Sequence, residues 1–462
     1  MRSWLRDTAG GLPATYWYLW TGILINRVGG FAVLFLSLYL TAQRGAGTAQ
    51  AGLIVGTYGI GGILGTLTGG VLTDRWGRRR TLLLSHFVVV ATLAGLALSA
   101  DLAVIAALCL LLGLFQSMPQ PAFVAAIIDV VPAERRSRAF NLQFWAFNLG
   151  MAGASLIAGV LATWSYVGLF LIDAASTLAT ALLIAWKIPE TLPRRAVSAG
   201  PIGQPNAYGA GGSRPDGPSR PDLPSRPDGP SRPDLPSRPD LLSRPDLPSR
   251  PGGKTGPRGL GAVLTDRIFL VFVGLTLLQA LIYTQASTIV PLAMQADDLS
   301  PSAYGVVVAL GAALIVAGQL FVPKVIDGHR KDRVLAVALL VNGNGFAVLA
   351  LADQLPLYLA AAVIWTIGSM LAAPPNAEIN SELAPLELRG RYQSVFFLAF
   401  PAASFLAPAL GGAGLQYLGD AHWLIVGALG ATAAALHLLA GPARERRVAA
   451  LRSETEQTVP AP

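Results

Sequence analysis

Apolar residues run in long blocks along this chain, each near or above twenty residues. Twelve can be drawn, at about 15–41, 51–73, 82–100, 102–130, 140–163, 166–187, 268–292, 303–325, 334–352, 356–381, 392–418 and 421–441. A block of this length crosses a ~30 Å hydrocarbon core as an α-helix. The pattern predicts an all-α membrane protein of twelve transmembrane helices. The fourth block holds Pro119 and Pro121, a place where a helix can break because neighbouring helices re-satisfy the freed carbonyls. The first block is too long for the apolar core of a cleavable signal peptide and has no clear small-residue cleavage site.

Composition agrees with lipid as the main solvent. Charged residues are 13% of the 462, about half the roughly 25% of a soluble protein, and 53% are hydrophobic. That excludes a soluble enzyme and a disordered scaffold. The single cysteine, Cys109, excludes a disulfide framework and any multi-cysteine metal site, and four scattered histidines give no metal spacing. No cofactor or metal is expected.

The net charge of +8 suggests nucleic acid first. The placement of the charge points elsewhere. Arg27 lies inside the first block and Arg44 just after it; the other Lys and Arg lie at the termini, in the middle segment and in the loops after even-numbered blocks. Cytoplasmic loops carry the excess of positive charge, so both termini and the middle segment are expected inside, and nucleic acid is not an expected partner. Arginine outnumbers lysine 30 to 4, and Ala, Gly and Leu abound, a bias that suggests a GC-rich bacterium and its inner membrane.

Four regions follow: a six-helix bundle over 1–192, a linker over 193–258, a second bundle over 259–443 and a cytoplasmic tail over 444–462. The linker repeats a six-residue unit, SRPDGP or SRPDLP, from Ser213. Such a proline-rich, charged tract cannot build a core and is expected to be a disordered cytoplasmic tether, or a docking tract for a partner. The flanking halves resemble each other. A shift of 253 residues places Asp74 on Asp327, Arg80 on Arg333, Pro121 on Pro374, Pro132 on Pro385 and Arg136 on Arg389. Six plus six spans in parallel repeat is the plan of one class of secondary transporters.

The loop after the second block reads Gly70-Val-Leu-Thr-Asp74-Arg75-Trp-Gly77-Arg78-Arg79-Arg80. A tight turn needs Gly at Gly77, and Gly70 leaves room for another helix. This run resembles the loop motif of the major facilitator superfamily, complete here and degenerate at Asp327-Gly-His-Arg-Lys-Asp-Arg333. The resemblance covers about 15–443 apart from the linker. It implies two six-helix bundles related by a pseudo-two-fold repeat, with a monomer sufficient for transport. It also implies that Asp74 meets the start of helix 11 and closes the cytoplasmic side. Basic residues of the loop would then pair with Asp129 at the end of helix 4, with Glu382 and Lys331 or Arg330 as the repeat mates. Arg27, the Asp129–Arg136 run and the Ala384–Tyr392 run are similar to bacterial multidrug exporters of the superfamily. The exporters' helix 4 Arg is absent, with Gln116 in that region, and their helix 5 glycine signature is partial at Gly150, Gly153 and Gly159.

A charge at a helix centre in lipid costs at least ~2.5 kcal/mol and normally faces a cavity or a partner. Arg27, beside Asn26, lies near the midplane and has no charged repeat mate, which suits a substrate or coupling job as well as a structural bond. Asp173 in block six is a candidate proton carrier or a structural pairing. Glu378, after Pro374-Pro375-Asn376, would serve a cation, a proton or the inner gate. Tyr58, Gln116, Trp145, Asn148, Gln279, Tyr283, Gln285, Asn342, Asn344 and Trp365 are candidate cavity residues, and the resemblance implies a cavity faced by helices 1, 2, 4, 5, 7, 8, 10 and 11. His86 and His437 are expected on the lipid side or in packing. Such a lining suits small amphipathic organic molecules. The leading expectation is proton-coupled efflux by alternating access, with import or facilitated movement of a metabolite, or a non-transporting receptor or scaffold, as alternatives. Neither a nucleophile–base pair nor a complete Walker-type phosphate loop is present, which argues against an enzyme.

Overall fold

In the computed structural model the apolar blocks are helical. The structure describes residues 11–30, 32–132, 135–190, 260–318, 321–385 and 388–458. The SRPD tract lies outside them. No strand occurs among the described residues. The helices of the first half are α1 (Ala14–Arg44), α2 (Thr48–Trp76), α3 (Arg78–Leu98), α4 (Leu102–Val130), α5 (Arg136–Ala162) and α6 (Tyr166–Lys187). Those of the second are α7 (Arg267–Thr288), α8 (Pro301–Gly318), α9 (Lys331–Leu351), α10 (Leu355–Leu383), α11 (Arg389–Leu418) and α12 (Ala421–Thr458). Eleven are long and apolar enough to cross a membrane; α5 carries a shorter apolar run, Leu149–Ala162, behind a polar and aromatic first half.

Local chemistry sets the helix ends. Asp101 accepts the N–H groups of Ala103 and Val104 at the start of α4, and Asp266 accepts that of Phe269 at the start of α7. The block at 268–292 stops early, at Thr288, and Pro291 opens a separate short helix, Val290–Ala296. Helix α4 breaks at Met118, ahead of Pro119. Helix α1 breaks at Gly29–Gly30, which the apolar pattern does not reveal. The segment expected as a tail continues α12 to Thr458, because Ala443–Leu451 is rich in strong helix formers. Glu445 there pairs with Arg330 at 3.1 Å.

Helix α2 is held on two faces by glycines. Along one face, a Cβ at Gly61, Gly65 or Gly69 would run into the backbone of α4. Along another, Gly52, Gly56 and Gly59 meet the backbone of α11 at Pro408, Phe405 and Ser404. Small residues at these places let helices approach closely where no water drives them together. The α2–α11 contact joins the two halves. So does α5 against α8, where a Cβ at Gly159 would lie 3.1 Å from the Cα of Gly305.

These junctions lie at the end of the molecule that carries the odd-to-even loops. There Ala49 N–H donates to Gln416 Oε1 at 2.8 Å, and Thr41 Oγ1 donates to Gln295 Oε1 at 2.7 Å. The rings of Phe35 and Tyr304 meet edge-on at 5.4 Å. One hydrophobic cluster runs through both halves here. Toward the even-to-odd loops the core divides. Tyr16, Leu82, Phe123 and Ile184 form a cluster in the first half, and Phe269, Phe272, Leu335 and Tyr392 another in the second. Gly70 lies eighteen residues beyond Gly52, about five turns on and so on the same face of α2. Nothing lies within 4 Å of a Cβ built at Gly70. Helices α2 and α11 therefore diverge along their length, and the halves are closed at one end and parted at the other.

The glycine packing predicts unequal costs for one added methyl. At Gly113 a Cβ would meet the backbone of Tyr58, with its carbonyl carbon at 2.8 Å. Gly113→Ala should cost about 1–3 kcal/mol, the range for overpacking, and lower the thermal midpoint of the purified protein. Gly70→Ala should leave that midpoint within error of the wild type.

A broken helix and the cavity beside Arg27

The break in α1 begins where Gly29 and Gly30 turn the chain. The N–H of Gly29 returns to Ile25 O at 3.1 Å and that of Gly30 to Arg27 O at 3.3 Å. A side chain at Gly29 would occupy the position of Ser176 on α6, so the break lies tight against that helix. The second half of α1 starts afresh at Ala32, whose N–H donates to Asp173 Oδ2 at 3.1 Å. Asp173 is 1% exposed. Thr177 Oγ1 donates to Asp173 Oδ1 at 3.5 Å, and Asn26 Nδ2 donates to Thr177 Oγ1 at 3.1 Å. The two sides of the break are thus linked through α6. The cation Arg27 stands in the last turn of one half-helix and the anion Asp173 at the first turn of the next, the signs that helix dipoles favour.

A cavity of about 240 Å³ opens beside Arg27. Its walls come from α1, α3, α4, α5 and α6, all in the first half. Amides of Asn26, Gln116, Gln120 and Gln143 line it, with the rings of Phe115, Phe123, Phe140 and Phe147. The Arg27 guanidinium lies over the Phe147 ring, 4.2 Å from its centre, a cation–π contact. Gly150 has no Cβ, and one built there would be 2.6 Å from Arg27 Cβ, so the missing side chain lets the arginine stem pass. Tyr58 OH donates to Gln116 Oε1 at 3.0 Å, which ties α2 to the wall.

The cavity thus collects Asn26, Arg27 and Gln116, with Tyr58 and Asp173 bonded directly behind. It also recruits α3 and α6, outside the expected set of lining helices. His86 is buried in its wall, with Nδ1 donating to Leu82 O at 2.7 Å, and His437 is buried against Arg444, so neither faces lipid. Both rings have buried polar partners that hold them inward. The side chains of Trp145 and Asn148 lie outside the described residues.

Candidates in the second half go elsewhere. Trp365 does not line this cavity. Its ring stacks on Phe346 at 4.9 Å, and Phe346 lies at 6.3 Å from Trp423, because three broad rings bury most area face to face. Gln279 Oε1 accepts from Asn376 Nδ2 at 3.2 Å. Tyr283 is 48% exposed and is no part of the cavity wall. Glu378, 59% exposed, pairs with Lys331 Nζ at 2.9 Å, beside Glu382 at 2.8 Å.

The loop residues form two matching pairs. Arg78 Nε meets Asp129 Oδ2 at 3.1 Å, and the shift of 253 carries this pair onto Lys331 and Glu382. Gly77 has a φ of +107°, in the region that favours glycine. Arg79 donates to Ala185 O at 2.7 Å. Asp74, Arg75 and Asp327 are exposed. The contact of Asp74 with the start of α11 is not made, because the halves are parted at this end. Glu190 was not suggested by any motif. It accepts the Arg78 N–H at 2.8 Å and so caps α3. An acid just after α6 and within reach of the Gly77 turn was the only signal for it.

The Asp173 contact yields a stability prediction. Asp173→Ala leaves the Ala32 N–H buried without its partner and should cost about 1–3 kcal/mol. Asp173→Asn keeps an acceptor oxygen and should lose less. Thermal unfolding of the two variants beside wild type checks the order.

Comparison with known proteins bears on the whole chain. The Major Facilitator Superfamily pattern matches residues 19–342 and 275–461. The chain is 25% identical over 413 residues to an uncharacterized MFS-type transporter, YttB of Bacillus subtilis (strain 168), covering 88% of this chain and 90% of that protein. It is 22% identical over 401 residues to a Na(+), Li(+), K(+)/H(+) antiporter of Planococcus maritimus, covering 81% and 83%. A 170-residue stretch is 27% identical to the 4-hydroxybenzoate transporter PcaK of Pseudomonas aeruginosa, covering 37% of this chain and 38% of that one. Among solved structures, a mutant peptide transporter POT in complex with sulfate superposes with a TM-score of 0.70 at 15% identity, over 97% of this chain and 99% of that one, a likeness of fold. The two-bundle fold, the loop motif and its repeat, and a pattern match over most of the chain agree that this multi-pass membrane protein belongs to the Major Facilitator Superfamily.

Proposed function

We propose that this chain is a secondary active transporter of a bacterial inner membrane, exporting small amphipathic organic compounds in exchange for protons. The observation that carries the reading is the unequal packing of the halves: closed at the odd-to-even loops, parted at the even-to-odd loops, with an amide- and ring-lined cavity beside a charge within the membrane. With the basic loops inside, this arrangement is the inward-open state. The opposite state needs Gly70 and Asp74 to approach α11 while the Gly52–Gly59 face leaves it. The charge pairs Arg78–Asp129 and Lys331–Glu382 each lie within one half, so they keep each bundle rigid while the bundles move. Asp173 is the carboxylate we assign to the proton. It is buried, and it joins the break in α1 to α6, so protonation would weaken the Ala32 contact and couple charge to the shape of α1.

Locking the closed end tests the motion. Thr41 and Gln295 come from opposite halves and touch through their side chains. Thr41→Cys with Gln295→Cys can be bridged by a short cleavable bis-thiol reagent, and the native Cys109 is buried away from it. In energised inverted vesicles, uptake of a panel of amphipathic cations, neutral compounds and anions would be followed together with the pH gradient. Uptake that dissipates the gradient, falls to the level of empty vesicles when bridged and returns on cleavage is the expected result. Full cross-linking with undiminished uptake would rule out alternating access of these halves.

A further inference from the structure

Arg27 brings a positive charge into the cavity and has no hydrogen-bond or ion-pair partner among the described residues; it lies against the Phe147 ring. Among the described residues, no carboxylate lines the cavity wall. The nearby acid, Asp173, acts on Arg27 through space, while its oxygens accept from Ala32 and Thr177 and leave the guanidinium N–H groups without a described acceptor. A cation left this way in a low-dielectric place is costly, and an arriving anion offsets the cost. A cationic cargo would add to it.

We propose that this cavity takes a small aromatic monocarboxylate, with its carboxylate on the Arg27 guanidinium and its ring among the phenylalanines. The inference rests on the transporter reading above and names its cargo class. Several features converge on it. The Phe147 ring centre lies 4.2 Å from the guanidinium carbon and takes up none of its edge N–H donors as a conventional acceptor would, and a guanidinium edge matches a carboxylate in bidentate geometry. The Arg27 N–H groups can donate to one carboxylate, and the single positive charge among the described wall residues suits a monoanion better than a phosphate ester with two charges. The volume, about 240 Å³, is just under the ~300–1,000 Å³ of pockets that hold drug-sized ligands, so it suits a single ring. Phe115, Phe123 and Phe140 supply the apolar wall that a hydrated inorganic anion would not repay. The Gln116 oxygen is taken by Tyr58, which turns the Gln116 amide toward donation, again the sign an anion needs.

The test is equilibrium binding to the full chain in lipid nanodiscs. Three single-ring probes of similar size are compared: benzoate, its planar neutral counterpart benzamide, and the cation benzylamine. Saturable benzoate binding is expected, with benzamide at least tenfold weaker and benzylamine weaker still. Arg27→Gln should weaken benzoate roughly 10- to 100-fold, the value of charged hydrogen bonds, and bring it level with benzamide. Arg27→Lys, which keeps the charge without the fork, should fall between. The wild-type probe series stands even if an Arg27 variant fails to fold. Absence of saturable benzoate binding, equal affinity for benzamide, or preference for benzylamine would overturn the proposal. The same probes in the vesicle assay separate the two readings. Benzoate that binds through Arg27 but never crosses leaves the anion site and removes transport. A cation that crosses while benzoate does not bind leaves transport and removes the anion site.

Discussion

A helix that stops inside a membrane leaves backbone N–H groups where no water can meet them. The break in α1 is such a place, and the rest of the first half is arranged around answering it. Asp173 reaches from α6 to the first N–H of the new half-helix, and Thr177 and Asn26 extend the same network across the gap. Irregular backbone at membrane depth is tolerated where protein or a cavity surrounds it. Here protein lies on the α6 side and a cavity on the other, with Arg27 at its edge. The carboxylate and the guanidinium are therefore not a simple ion pair. Each complements one end of a helix dipole, and only the carboxylate is satisfied by protein.

The second constraint is close approach without side chains. Helix α2 spends its glycines on two neighbours, α4 in its own half and α11 in the other. The α4 contact has backbone against backbone and no spare room, so it belongs to the rigid bundle. The α11 contact has the same chemistry yet fades along the helix, until Gly70 faces nothing. A glycine stripe that is packed at one end and open at the other is what a rocking joint requires. Large side chains at these positions would fix a single separation.

Much of this was legible in the chain. Block lengths gave the helices; the family resemblance implied that loop bases would pair with Asp129, and the shift of 253 named Glu382 as its mate with Lys331 or Arg330 opposite, of which Lys331 matches Arg78. Those signals are local or repeat, and both survive in a linear reading. The break in α1 was not legible, since Gly29-Gly30 in an apolar run is common in membrane helices and the cap comes from a residue far along the chain. The surroundings of Trp365 were not legible for a related reason. An aromatic in an apolar block looks the same whether it faces a cavity or stacks on Phe346. The helical form of the tail was not legible because polarity marks exit from the membrane, not the end of a helix, and α12 continues as helix well beyond its apolar block.

The repeat also explains where the asymmetry must lie. Charges near the even-to-odd loops occur in both halves and pair within each, so they cancel locally and favour neither half as a binding site. Arg27 and Asp173 have apolar residues at their repeat positions, Ala280 and Val426, and both of those are buried in the core of the second half. One half has therefore kept a packed interior, while its copy carries a broken helix, a hydrogen-bonded carboxylate and a guanidinium held by a ring and by charge alone. On the proposed reading, a ligand carboxylate would give the Arg27 N–H groups the acceptor that the described residues do not. A ligand that does so from the cavity binds to the half that bends, and its binding energy acts directly on the element whose shape differs from its repeat.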